Sequence, residues 1–218
     1  MKKTNKLIDL SFELNDDMLT YPSPNHVPFQ STILGRIDKD GRETRKFTMG
    51  SHCGTHIDAP KHFLKDGKSI MEFVLINLGD LKPNSIISLK NFKGELDAAN
   101  KVNPVRRIVF RSYWSQHWNT NQYYQGWPYF DTESIEYIID SKIKLLGLDF
   151  PSPDAQFNGK DSEEDSPNHK LLFNSDIILT EYLTNLDKLN KGMIYISVMP
   201  LKLSNFDGSP ARVMAYNL

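Results

Sequence analysis

Asp131–Phe150 reads DTESIEYIIDSKIKLLGLDF. Its first half carries helix signals. Asp131 or Thr132 can cap the start, acids fill the first turn, and Ile135, Ile138 and Ile139 form one apolar stripe. The second half, Ile143–Asp149, is a short apolar run ending in an acid, the pattern of a buried strand. A helix feeding a buried strand is the building unit of an α/β fold. The unit recurs downstream. Pro167–Phe173 reads as a short helix and Asp176–Glu181 (DIILTE) as another buried strand ending in an acid. In such sheets, sites gather at the carboxyl ends of strands, where Asp149 and Glu181 would sit.

Around this unit the other strands are short. Lys6–Ser11, Ser31–Ile37, Glu43–Met49, Ser85–Leu89, Arg107–Phe110, Met193–Val198 and Val213–Tyr216 all read as extended. There is no internal repeat and no low-complexity linker. The expected architecture is α/β: a single domain over residues 1–218, with a mixed β-sheet or barrel-like β core flanked by helices. A chain of 218 residues is long enough to bury such a core.

Composition narrows the function. There are 26 Lys and Arg against 27 Asp and Glu, a net charge of −1, so no basic excess points to nucleic acid or an anionic membrane. No apolar run approaches the ~18 residues of a membrane span. The lysine-led start MKKTNKLIDLSFELNDD lacks the apolar stretch of a signal peptide. One cysteine forbids an internal disulfide. The expectation is a soluble cytoplasmic protein acting on a small molecule, without nucleic-acid or membrane partners.

His52–Phe63, HCGTHIDAPKHF, holds three of the six histidines and the sole cysteine. His52 and His56 have the spacing of helical zinc motifs, but Gly54, Thr55, Ile57 and Pro60 oppose a helix. In extended backbone His52, His56 and Asp58 share a face, because alternate residues do. Gly54 leaves that face open. Two imidazoles and a carboxylate converging on a point suit a divalent metal, often zinc. A single His-x-x-x-His is common on surfaces. Asp58 and His62, set among small residues, are what turn the stretch into a site. Its histidines need outer acceptors, for which Ser51 and Thr55 are candidates. Cys53 offers a rival thiolate chemistry. It alternates with His52, however, and so reads as a buried small hydrophobe.

These residues resemble the metal-dependent cyclase family, which includes arylformamidases and isatin hydrolases. The family signature His-x-Gly-Thr-His-x-Asp-x-Pro-x-His is matched at every fixed position from His52 to His62. Phe63 and Asp66-Gly67 are similar too. So are Ile8–Ser11, Tyr21-Pro22, Gly147–Asp149 with Ser152 and Asp154, and the tail PLKLSNFDGSPARVMAY with Gly208–Arg212. The resemblance implies one ion bound by His52, His56 and Asp58. It implies a second bound by His169 and Glu181, with Asp58 bridging. The metal would be zinc, with manganese as the other candidate. Tyr21 would lie near the substrate. His62 would be the general acid/base of a hydrolase that cleaves a carbon–nitrogen bond, with N-formylkynurenine as the leading substrate. A homo-oligomer, dimer or tetramer, is also implied.

Read without the family, Glu181 could pair with a basic side chain and His169 could sit on a helix surface. Ser112–Phe130 departs from the family pattern. It holds all three tryptophans and four of the nine tyrosines. It reads equally as an aromatic wall for a flat substrate or as a satellite core or subunit contact, with His117 structural. The acidic run Asp161–Asp165 reads as a solvated loop. Three rival functions remain: a cyclic-amide or lactone hydrolase of the same family, a metal-binding protein without turnover, and thiol chemistry at Cys53. A structural site has no need of a histidine such as His62 beside its ligands.

Overall fold

The computed structural model describes residues 7–24, 26–58, 74–102, 104–159, 162–201 and 207–217. Four parallel strands make half of a barrel. They are β5 (Val74–Asn77), β7 (Arg107–Arg111), β9 (Leu145–Leu148) and β10 (Ile178–Glu181), paired in that order. Each step between neighbours is bridged by a helix: α2 (Lys93–Val102), α3 (Thr132–Asp140) and α4 (Pro167–Asn174). Parallel neighbours require crossovers of this kind.

Antiparallel strands close the ring. β4 (His56–Asp58) pairs with β10, β12 (Gly208–Asn217) pairs with β4, and β11 (Gly192–Pro200) joins β12 to β5. The result is a seven-strand barrel, with β1 (Ile8–Asp9) added along β12. The expected α/β architecture with a barrel-like core is thus the one observed.

Strand alternation gives the barrel two chemically different faces. Ile57, Leu75, Val109, Leu145, Ile178, Ile194, Ile196, Val198 and Val213 pack inside. Gly147 also faces in, and a Cβ there would lie 2.8 Å from Val109 Cγ2, so the interior has no room for one. Ile76, Phe110, Leu146, Leu148 and Leu179 face out and are covered by the helices. In α3, Asp131 is the cap, accepting from Ser134 N at 2.9 Å, and Ile135 and Ile138 are fully buried.

Some elements differ from their sequence reading. Ser31–Ile37 splits into β2 (Gln30–Gly35) and a single helical turn, α1 (Ile37–Asp40). β2 pairs with β3 (Thr44–Thr48) as a two-stranded hairpin whose side chains are mostly exposed. Ser85–Leu89 yields only β6 (Ile86–Ile87), which pairs with β8 (Tyr129–Phe130) outside the barrel. β5 and α2 carried no sequence reading. α2 buries only Leu96, too little apolar periodicity to announce a helix. Among the described residues, no helix is long and apolar enough to cross a membrane.

Candidate metal centre

Register assembles the site. His56 lies opposite Glu181 and Asp58 opposite Leu179 across the β4–β10 ladder. His56, Asp58 and Glu181 therefore share the outer face, while Ile57 points in. His56 Nε2 is 3.1 Å from Asp58 Oδ1 and 3.8 Å from Glu181 Oε2. Helix α4 brings His169 over this face, with Nε2 3.6 Å from Glu181 Oε1 and 3.9 Å from Asp58 Oδ2.

His52 reaches the cluster by another route. Residues 51–55 form turns, not a strand, with Gly54 at φ +62°. The shared strand face expected for all three residues thus holds for His56 and Asp58 only. The turn still puts His52 Nδ1 2.7 Å from Asp58 Oδ1. The His52 ring lies against Gly208, where a Cβ would be 2.7 Å from its Cε1, so only glycine fits.

Two triads result, His52–His56–Asp58 and Asp58–His169–Glu181, each with its ligand atoms within 4.8 Å of one another. Asp58 is common to both. The triads bring together the five residues expected from the sequence to be ligands. His62 lies outside the described residues. Asp149 sits at the end of β9 as expected but joins neither triad. Instead it accepts from Ser112 Oγ at 2.6 Å and from Ser112 N, and so fixes the turn after β7.

The outer partners of the imidazoles differ from those expected. His56 Nδ1 donates to Gly54 O at 2.8 Å, which directs the Nε2 lone pair into the cluster. His169 Nδ1 bonds to Asp154 Oδ2 at 2.5 Å. Asp154 also accepts from the backbone N–H groups of Asn168 and His169, so one carboxylate both caps α4 and aims the His169 ring. Thr55 Oγ1 instead donates to Tyr182 O and accepts from Phe12 N. Ser51 acts at one remove: its hydroxyl holds Asp207, which lies 3.1 Å from His52 Nε2. Asp207 had no sequence reading of its own. Its signal was the Asp-Gly turn before β12.

The electrostatics ask for a cation. Asp58, His56, His169 and Glu181 are all buried. Glu181 pairs with no Lys or Arg among the described residues; its neighbours are the His56 and His169 rings, 3.8 and 3.6 Å away, and its Oε1 makes no hydrogen bond among those residues. Burial, then the Asp58 charge, push its carboxyl pKa up against the pull of His169 and His56. Burial works to lower the His52 pKa, but Asp58 and Asp207 outweigh it and hold it at about 10. Asp154 and Glu181 do the same for His169, also about 10. Protons on His52 and His169 would stand in for the positive charge that a divalent ion brings. Buried carboxylates with imidazole nitrogens converging on them fit zinc, manganese or a similar ion.

The aromatic segment is part of the main core. Trp114, Tyr123, Tyr124, Trp127 and Phe130 are buried in the layer between barrel and helices, so the satellite-core reading is set aside. The His117 ring packs on Trp114. Tyr21 meets the segment, its ring 5.7 Å from Tyr124 and 6.2 Å from Trp127. Tyr182 lies 5.1 Å from the His56 ring and stands T-shaped to Trp118. An aromatic wall therefore borders the cluster. Cys53 is buried, with Sγ 4.0 Å from Met18 Sδ, as a small hydrophobe would be. Glu163 and Glu164 are exposed and belong to neither triad.

Comparison with known proteins agrees with this geometry. Residues 8–155 match the "Putative cyclase" family model. The chain is 33% identical to a kynurenine formamidase of Bacillus anthracis over 218 residues, covering 97% of this chain and 98% of that one. Isatin hydrolase A from Ralstonia solanacearum superposes with a TM-score of 0.82 at 21% identity, over 98% of this chain and 92% of that one. A "predicted metal-dependent hydrolase" from Bacillus stearothermophilus gives 0.73 at 22% identity, over 98% of both chains. The two structural likenesses show the fold. The family match and the near-complete sequence match go further: the chain belongs to the cyclase family.

Proposed function

We propose that the protein is a metal-dependent hydrolase of carbon–nitrogen bonds, an arylformamidase whose leading substrate is N-formylkynurenine. The observation that carries this reading is the pair of triads sharing Asp58 on the barrel's outer face. The kynurenine formamidase likeness supplies the substrate class. His52, His56 and Asp58 would hold one ion, zinc or manganese, and His169 and Glu181 would share a second with Asp58. When bound, such an ion lowers the pKa of a water to roughly 7 and polarises a carbonyl.

The chain's own groups do the rest. Gly54 O and Asp154 aim His56 and His169. Tyr21, backed by the buried rings of Tyr124 and Trp127, offers flat apolar surface to an aryl ring. His62 is assigned as the general acid/base. It takes a proton from the attacking water and hands it to the aniline nitrogen as the C–N bond breaks. The products are formate and an aromatic amine.

A homo-oligomer is proposed on the exposed hairpin β2–β3, which leaves Ile33, Leu34 and Phe47 uncovered. Light scattering in solution reads it directly. A cytoplasmic location, with no nucleic-acid or membrane partner, is proposed from the balanced charge and the free cysteine.

The test is hydrolysis of N-formylkynurenine before and after chelation, with His62→Ala assayed alongside. Metal-dependent turnover, abolished in His62→Ala protein that keeps its metal, is the expected result. Turnover that survives complete chelation contradicts the reading. Metal-loaded protein that cleaves isatin but not the formamide moves the substrate to cyclic amides.

A further inference from the structure

The three histidines of the triads do not face the centre in the same way. His56 turns Nδ1 to Gly54 O and His169 turns Nδ1 to Asp154 Oδ2, which leaves Nε2 of each ring toward the carboxylates. His52 is reversed. Its Nδ1 lies 2.7 Å from Asp58 Oδ1, and its Nε2 lies on the other side, 3.1 Å from Asp207 Oδ2. His56 Nε2 approaches that same Asp58 oxygen, at 3.1 Å, whereas His169 approaches the other one, Oδ2.

The chain holds the reversed ring from several sides. Gly208 lies opposite Asp58 across the β4–β12 ladder, so the register that places the shared carboxylate also places Asp207, one residue before. A Cβ on Gly208 would stand 2.7 Å from His52 Cε1 and 3.0 Å from Nε2, so that edge of the ring rests on bare backbone. Ser51 Oγ donates to Asp207 Oδ1 at 3.2 Å, and Oδ2 turns to His52. The two outer carboxylates differ in setting. The Asp154 side chain is 3% exposed and the Asp207 side chain 43%, so solvent reaches the support of His52 far more than that of His169.

We propose that Asp207 is a positioning residue for the first ion: it accepts the Nε2–H of His52 and so presents Nδ1 as the ligand, while His56 and His169 ligate through Nε2. A neutral imidazole has one N–H and one lone pair, so the acceptor at one nitrogen decides which nitrogen meets the ion. A carboxylate in that place also raises the basicity of the ligating nitrogen. Asp58 then serves the first ion through Oδ1 and the second through Oδ2. The assignment rests on the metal-centre reading for the ion and on the distances above for the choice of nitrogen. Solvent screens Asp207, so its loss should weaken the first ion by about tenfold, the low end of the roughly 10–100-fold range for outer partners.

The test titrates zinc against a competing chromophoric chelator in metal-stripped wild type, His52→Ala, Asp207→Ala and Asp207→Asn. His52→Ala marks the first ion by the uptake step it removes. Asp207→Ala should weaken that step about tenfold and leave the other unchanged. Asp207→Asn, whose amide oxygen can still accept from Nε2–H, should lose less. Heteronuclear NMR of the ring nitrogens in zinc-loaded wild type is the second readout, and it needs no Asp207 variant to fold. The imidazole missing from His52→Ala should show a zinc-bound Nδ1 and a protonated Nε2. A His52 ring bound through Nε2 overturns the proposal, and so does an Asp207→Ala protein whose steps match wild type or weaken together. Either result with zinc bound leaves the metal centre standing and removes Asp207 alone. No zinc uptake by wild type removes the metal-centre reading and the proposal with it.

Discussion

The two faces of one barrel wall differ in almost everything but backbone. Among the described residues the inner cluster is aliphatic, drawn from Ile, Leu, Val and Ala, without a single aromatic ring. The outer layer holds Phe92, Phe110, Trp114, Tyr123, Trp127, Phe150 and Tyr182, and on the same side stand His56, Asp58 and Glu181. A narrow barrel has room for branched aliphatics and, at Gly147, for nothing larger than hydrogen. The space between strands and helices is wider and takes rings. Alternation thus assigns stability to one face and chemistry to the other. A one-residue slip of β4 against β10 would exchange them, carrying Ile57 out and His56 and Asp58 into an apolar interior.

This contrast can be broken most sharply on the outer face. Asp58→Asn removes the one carboxylate that both triads share. Metal uptake and turnover should fall by more than the roughly 10–100-fold typical of losing an outer partner. The urea midpoint of metal-free protein should fall, because the buried His52 loses the carboxylate it pairs with. Calorimetric metal titration beside chemical denaturation reads both.

The opposite lesion is Leu145→Ala, on the inner face and fully buried. It should cost about 2–5 kcal/mol of stability while folded protein keeps its metal affinity. A loss of affinity out of proportion to unfolding would show that the two faces are not separable.

Asp149 gives a pH signature. Burial raises its carboxyl to about 6, against the hydrogen bonds from Ser112 that pull it down. The folded value is above the unfolded one, so the native state holds the proton more tightly. Its stabilising share is complete below about pH 4 and lost as pH rises through about 6, an effect on the order of 2–3 kcal/mol. The difference in unfolding free energy between wild type and Asp149→Asn should therefore change across pH 4–6 and stay flat above pH 7. A flat difference throughout would contradict it.

The smallest effect sharpens the inner face. Thr180 points into the barrel, and its hydroxyl is buried with no hydrogen bond among the described residues. Thr180→Val should raise stability by about 1 kcal/mol. A fall would mean that the hydroxyl is satisfied.

The same contrast explains what the sequence disclosed. Strands β7, β9 and β10 were legible because both of their faces are buried, and α3 because its isoleucines keep helical spacing under an Asp131 cap. α2 escaped notice because it lays only Leu96 on the core. At the site, the His-x-Gly-Thr-His-x-Asp spacing marked His52, His56 and Asp58. Extended backbone correctly put the last two on one face, while His52 arrives by a turn that alternation does not describe. Asp154 and Asp207 were not marked as working parts. Their relation to the ligands depends on contacts between segments 15 to 155 residues apart, which leave no local pattern. Asp149 shows the reverse error: a strand-end acid in the right place whose oxygens are used by Ser112.

The central claim is that the barrel's outer face holds a cation centre whose charge is supplied by protons when no ion is bound. It is tested most directly by titrating zinc into chelated protein at pH 7 in buffers of different ionisation heat, which counts ions taken up and protons given off together. With His52 and His169 both held near 10, zinc must displace protons, so uptake should release protons, tighten as pH rises and depend on Asp58. No uptake of zinc, or of manganese offered in its place, would contradict the account.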